Sequence, residues 1–546
     1  MSFSLQEWEI WHTYTTYLNC GQIDLDLAAD SLVRVGMAHV VLKDNGRTYW
    51  KTTTGVGYGT TTLTKTPNKE FKLTPDGGVI ELPKGFALEA WGQGSLFLHA
   101  ESDVLGDESG LAERYLRAFL GKCVASNENE DGDKTSSLNL YPTLIIYESG
   151  VMTLELRMIG PSTPVALADF IRGGVNLFQE RFDKVEVSPS IARICTAAYH
   201  QSQSIPFLKR RRLARLQVGH DLAVEQRTTV HEDEAFSFPL SPWSGGPNSL
   251  RDIALTLFHT AAFVARHPRR GLAFILLGQK KPPNLGAFWS GRPHVHVIRF
   301  DGQMQTATEN EALYRPSFDA ILARTPLLVW KKNIAFPSDS RMFEDYGAYV
   351  GSAVSLWVWS KKGIAEQEDR KDLNRGNFIY ERQLLMEVLE HGYMLHRALY
   401  HTAEQIRSTG EAIAVQKRLL RFRLGMREAS HAGEIRDLLE KGWKQLGLPA
   451  LADDIARILS LKEAELRSAD NDRATRVGWA IALVFGLVAV PSLADQLILP
   501  AWTKLQFHVI ADVPKAKLIA DGIAFFVVSL FLSISLVFTS NARSHR

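Results

Sequence analysis

The chain reads as an α+β protein: a mixed α/β head, a long helical stalk and a C-terminal hairpin of two transmembrane helices. Three observations predict this. Residues 477–494 and 522–538 are uncharged apolar runs, and about 20 apolar residues of helix cross a hydrocarbon core. Residues 378–406 carry Leu384, Leu385, Val388, Leu389, Met394, Leu395 and Leu399 at helical spacing. Residues 141–148 and 151–160 are rich in strand formers and flank Ser149-Gly150, the pattern of a hairpin.

At 546 residues the chain is long enough for two or three domains. The expected division is a β-rich domain at 1–124 and an acidic loop or linker at 125–137. A mixed α/β domain at 138–375, a helical stalk at 376–476 and spans at about 477–494 and 518–540 follow, with a tail at 541–546. A net charge of +2 argues neither for nor against nucleic acid, and no direct nucleic-acid contact is expected. Cys20, Cys123 and Cys195 are far apart and form no metal-ligand spacing, which suits a reducing compartment.

In chain order, the first 14 residues lack the basic start and apolar core of a signal peptide. Residues 33–42 are rich in Val and predict a buried strand. Residues 51–66 are β-branched and glycine-rich. Gly55, Gly57 and Gly59 look like a phosphate loop, but strand formers follow them where a helix would be needed, so a glycine-rich hairpin or bulge is expected. Residues 87–101 resemble two strands joined at Gly92–Gly94, and residues 108–122 an amphipathic helix bearing Leu111, Tyr115, Leu116 and Leu120. Residues 165–182 predict a helix broken near Gly173-Gly174, and residues 249–266 an apolar helix. Strands are expected at 271–279, 295–300, 325–330 and 353–360.

Lys209, Arg210, Arg211, Arg212 and Arg215 form one basic cluster, and Arg269 and Arg270 belong to a second. Brought together, they would hold an anionic ligand of the nucleotide type. A solvated helix face or a patch lying against anionic lipid is the plainer account of them. His231 to Glu234 read as an exposed acidic loop, since adjacent side chains diverge. His294 and His296 share one strand face, and with no third ligand nearby they read as a surface pair. No metal site and no catalytic residue are named, since no nucleophile elbow, Walker loop or HExxH motif occurs.

Helical pattern continues from 411 to a break at Gly447-Leu448-Pro449, and a last helix is expected to run from near Ala450 into the first span. Lys462, Arg467, Arg473 and Arg476 precede that span, and Arg543 and Arg546 follow the second. The positive-inside rule puts both flanks, and so both termini, in the cytoplasm of a bacterial-type inner membrane. Gly478, Ala482, Gly486 and Ala489 recur at helical spacing and serve either close packing or pore lining. Asp495 stands where an acid at a pore mouth would draw cations.

This arrangement of head, stalk, long entering helix, short external loop, second span and basic tail resembles the CorA family of divalent-cation transporters, over about residues 375–546. The resemblance implies a pentamer whose first span lines a pore for Mg²⁺ or another divalent cation. The family's Gly-Met-Asn filter is missing: the corresponding region reads PSLADQLILPAW, so no filter residue is carried over. The expectation is thus an oligomeric inner-membrane channel in the lipid bilayer, gated by a large cytoplasmic sensor and serving a stress or antiviral defence response. A membrane-tethered enzyme and a scaffold are the alternatives.

Overall fold

The computed structural model describes residues 3–18, 23–52, 55–63, 71–76, 87–105, 113–128, 134–202, 249–265, 285–326, 336–341, 343–369, 377–428, 433–504 and 517–530. They fall into two compact units, residues 1–405 with 413–456, and residues 406–412 with 457–546.

The first unit is built on one large sheet. Its strands are β1 (Ser4–Tyr17), β2 (Val40–Lys43), β3 (Arg47–Lys51), β4 (Val56–Leu63), β5 (Phe71–Pro75), β6 (Tyr115–Phe119) and β7 (Cys123–Glu128). They continue with β8 (Lys134–Tyr147), β9 (Val151–Ile159), β10 (Val165–Ala166), β11 (Lys184–Glu186), β12 (Pro293–Phe300), β13 (Tyr346–Val350) and β14 (Ser355–Trp359). The main path runs β13-β14-β12-β1-β9-β8-β6-β2-β3-β4-β5. Only β12 and β14 pair in parallel along it; the rest are antiparallel. The long strand β1 is central, with β12 on one side and β9 on the other.

The helices of this unit begin with α1 (Leu25–Arg34), α2 (Leu88–Val104), α3 (Leu167–Phe170), α4 (Pro189–Ser202), α5 (Leu250–Val264), α6 (Ala307–Leu322) and α7 (Lys361–Asp369). Then come α8 (Asn377–Glu404), α9 (Thr409–Glu428), α10 (Gly433–Gln445) and α11 (Leu448–Leu493), the last reaching into the second unit. Strand residues alternate between two faces, and the two faces of this sheet differ. Trp8, Ile10, Leu154, Leu156, Ile146 and Leu116 look one way, into the main apolar core with α1, α5 and α6. The opposite face carries Glu9, Thr13, Glu155, Arg157, Arg117, His294 and His296, and is covered by α2 and α8.

The mixed α/β character holds, as do the hairpin β8–β9, the glycine-rich pairing of β3 with β4, and the helices at α5 and α8. Several local expectations are corrected. Residues 33–42 end a helix and begin the short strand β2. Residues 88–101 belong to helix α2, and Gly94 is where the helix meets the sheet: a Cβ there would crowd Leu42 and Phe119. Residues 115–119 are a strand, because β2 and β8 pair with both of their edges. Strands β7 and β8 run into the expected linker at 125–137. The expected helix at 165–182 is a short helical turn followed by a π turn at Ile171–Val175 through the two glycines. The expected strand at 271–279, and residues 327–330 of that at 325–330, lie outside the described residues.

The transmembrane hairpin is not found, and the multi-pass inner-membrane location is corrected with it. Among the described residues no helix is long and apolar enough to cross a membrane. The helix α11 that carries residues 477–493 starts at Leu448 with a polar first half, contains Pro491, and passes into a π turn at Ala494–Ile498. Within this second unit Ala494, Ala520 and Ala524 pack together with Val490 and Leu493. A short helix, α12 (Leu499–Lys504), follows the π turn.

Candidate functional site: a charged layer beneath helix α8

Helix α8 turns its polar side inward. Tyr380, Gln383, Glu387 and Glu390 recur every three or four residues, so they share one face. That face meets the polar side of the sheet. Glu387 accepts two hydrogen bonds from Arg117 on β6, at 2.9 and 2.5 Å. Gln383 donates to Glu155 on β9 and lies 3.2 Å from His294 Nδ1 on β12. Glu390 accepts from Arg292 Nε at 2.9 Å and Trp289 Nε1 at 2.7 Å, with His294 Nε2 at 3.5 Å. Tyr380 Oη lies 3.4 Å from Arg157 on β9, which is paired to Glu9 on β1 at 2.8 and 2.9 Å.

The other side of α8 packs on helices. A Cβ at Gly392 would overlap the Phe422 ring of α9, and one at Gly442 of α10 would overlap Leu389. His396 meets the edges of Phe422 and Trp443 at 5.5 and 5.0 Å. Helix α8 is therefore a slab, charged toward the sheet and apolar toward α9 and α10.

Burial sets the electrostatics. Arg117, Glu155, Glu387, Arg292, Glu390, His294 and His296 are all 2 % exposed or less. An isolated buried charge is costly, and pairing offsets the cost only with good geometry. Burial followed by the neighbouring Glu387 carboxylate pushes the Glu155 carboxyl well above its ordinary range. Burial alone would raise Glu390, but His294 and Arg292 outweigh it and hold its carboxyl below the ordinary value. Burial lowers His294 and takes His296 down to about 3, so both rings are neutral at pH 7. Burial opposes the charge of Arg117, yet the Glu387 carboxylate more than compensates and fixes it as a cation.

Between α8, α2 and β6 lies a cavity of about 20 Å³ lined by Glu101, Tyr115, Arg117, Tyr147, Glu387 and His391, with space for one water molecule. Tyr115 donates to Glu101, whose carboxyl burial raises to about 7. The His391 ring stacks on Tyr147 at 3.8 Å and stands 3.6 Å from Glu113. The Phe97 ring of α2 covers the Arg117 guanidinium at 3.7 Å. On the same sheet face the hydroxyls of Thr15, Thr153 and Ser355 and one oxygen of Glu155 meet no hydrogen-bond partner. Gly291 delivers Arg292 to this layer: at φ +56 it passes so close to Thr13 that a Cβ would overlap the carbonyl oxygen.

Lys209, Arg210, Arg211, Arg212, Arg215, Arg269 and Arg270 fall outside the described residues, as does His231 to Glu234. Gly478, Ala482, Gly486 and Ala489 all lie in α11, and a Cβ on Gly478 would meet nothing within 4 Å. Asp495 is no free carboxylate: Lys517 pairs with it at 3.3 Å. His294 and His296 are core residues, not a surface pair, because β12 is flanked by β1 and β14 and its polar face lies beneath α8. Among the described residues no group of three or more His, Cys, Asp or Glu side chains is placed to hold a metal ion.

What sequence reading missed is the charged layer itself. Glu387 and Glu390 have the spacing of solvent-facing residues on an amphipathic helix, and only the strands opposite reveal their partners. The available signal was β1, whose Trp8, Ile10 and Tyr14 alternate with Glu9, Trp11, Thr13 and Thr15. Comparison with family models, with curated proteins and with solved structures returned no match for this chain.

Proposed function

We propose that the chain is a ligand-responsive sensor-effector, in which the sheet unit receives a signal and α8 relays it to α9 and α10. The observation that carries this reading is the two-sided construction of α8. Its sheet-facing stripe is joined by ion pairs and hydrogen bonds, and its outer side by apolar contacts to the next helices. A buried ion pair contributes little net stability but penalises any arrangement that separates its charges. A helix seated this way has a defined position and passes any shift in the strands directly to its neighbours.

The ligand in this reading is an anion of the nucleotide type held by the basic clusters at Lys209–Arg215 and Arg269–Arg270. The pore implied by the CorA resemblance is not part of the proposal, since it needs membrane-crossing helices, and the pentamer goes with it. A test uses the full chain with ATP as probe. Calorimetric binding is expected, together with altered amide exchange in residues 377–404 and in α9 and α10. Replacing Lys209, Arg210, Arg211 and Arg212 by Ala abolishes both. Absence of binding, or changes that leave α8 untouched, would contradict the reading. Hydrolysis of ATP would favour the enzyme alternative.

A further inference from the structure

The charges beneath α8 do not balance in one place. Glu9 and Arg157 match one to one, as do Glu390 and Arg292 beside a neutral His294. Around Arg117 there are two buried carboxylates, Glu387 at 2.5 Å and Glu155 at 3.7 Å, for a single guanidinium. A third, Glu101 of α2, faces the same cavity. Gln383 from α8 donates to one oxygen of Glu155, while the other meets no hydrogen-bond donor. The remaining titratable groups facing the cluster are Tyr115 of β6, Tyr147 of β8 and His391 of α8, with Asp44 acting on Glu101 from the turn after β2. Among the described residues Arg117 is the basic side chain ion-paired with Glu155 and Glu387, while His391 stands 3.6 Å from Glu113. Two ionised carboxylates sharing one buried partner repel, and such a pair keeps a proton.

We propose that the Arg117 cluster is a proton-linked latch: Glu155 holds a proton shared with Glu387 while α8 is seated on the sheet, and losing it loosens the helix. This rests on the relay reading and names its trigger. The chemistry is a single proton transfer: the O–H bond of the Glu155 carboxyl breaks, the proton goes to water, and a carboxylate remains facing Glu387. The docked state binds more protons than the loosened one, so raising pH favours loosening. Burial of the Glu101 carboxyl, which takes it to about 7, adds in the same direction.

The test is made on the full chain by pH-difference infrared spectroscopy and by amide exchange corrected for intrinsic rates. A protonated-carboxyl band is expected that weakens in Glu155→Gln, the Glu101 component remaining. Protection of residues 377–404 is expected to fall at least about tenfold between about pH 5.5 and about pH 8, and to fall clearly less in Glu155→Gln, where only the Glu101 share remains. Glu101→Gln, at the cavity rim, should flatten only part of the slope and serves if Glu155→Gln fails to fold. Overturning results are a band undiminished in Glu155→Gln, or wild-type protection of α8 that does not change with pH. Should α8 loosen with pH while α9 and α10 do not follow, the latch stands and the relay fails. Should α8 ignore pH while α9 and α10 still follow a change at Arg117, the latch alone fails.

Discussion

Arg117 on β6 and Glu387 on α8 meet through a two-point contact at 2.9 and 2.5 Å across 270 residues of sequence, both buried. Removing one partner leaves the other charged and unpaired. Arg117→Met is therefore expected to destabilise the protein by about 3–5 kcal/mol. The double variant Arg117→Met, Glu387→Met should cost clearly less than the sum of the two single changes, because no orphan charge at that pair remains. Denaturant unfolding of the four proteins measures the coupling; additive costs would contradict the pairing.

The acid side of the stability profile has a separate origin. His12 and His296 are lowered to about 3, and His396 to about 4, in each case chiefly by burial. An unfolded histidine titrates near 6.5. Between those values the unfolded chain binds more protons than the folded one, so stability falls as pH drops below about 6.5. Glu101 works the other way: its folded value near 7 lies above its unfolded one, so its contribution is lost as pH rises from about 4.5 to about 7. His296→Gln should make the acid limb shallower and leave the neutral limb as it was. Midpoints of thermal unfolding from about pH 4 to about pH 8 test this. An unchanged acid limb would assign it to other groups.

Gly392 sits inside α8 where Ala would ordinarily be better by about 1 kcal/mol. Here a Cβ would overlap the Phe422 ring. Gly392→Ala is expected to be net destabilising, by about 1–3 kcal/mol through overpacking. Adding Phe422→Leu should recover part of that loss, since it removes the overlapped ring. A stabilising Gly392→Ala would show that α8 and α9 are not in this contact.

Helix α5 starts with a reciprocal cap. The Ser249 hydroxyl accepts from the Asp252 backbone N–H, and the Asp252 carboxylate accepts from the Ser249 backbone N–H. Ser249→Ala should cost about 1 kcal/mol, read from the same denaturant curves, while Ser249→Asp keeps most of the stability. No loss in Ser249→Ala would mean that the cap is replaced by solvent.

Legibility in the sequence follows the same physics. The β8–β9 hairpin was visible because its alternation and its Ser149-Gly150 turn agree. Helix α8 was visible because its outer side is apolar and periodic. Helix α2 was hidden by Gly92 and Gly94, which suggest a turn until Gly94 is seen to admit Leu42 and Phe119. Strand β6 was hidden because Tyr115 and Leu116 fit a helical period in so short a stretch. The long strand β1 was passed over because half of its side chains are polar, although both of its faces are buried. The charged layer stayed invisible because Arg117, Glu155, Arg292 and His294 come from three distant parts of the chain.

If α8 transmits the state of the sheet to α9 and α10, amide exchange on Arg117→Lys will show it. Lysine keeps the charge but loses the two-point grip on Glu387. Protection is expected to fall together in residues 377–404, 413–428 and 433–445, while β12, β14 and α6 keep theirs. A loss confined to β6 and its neighbouring strands, or a uniform loss over the whole chain, would contradict it.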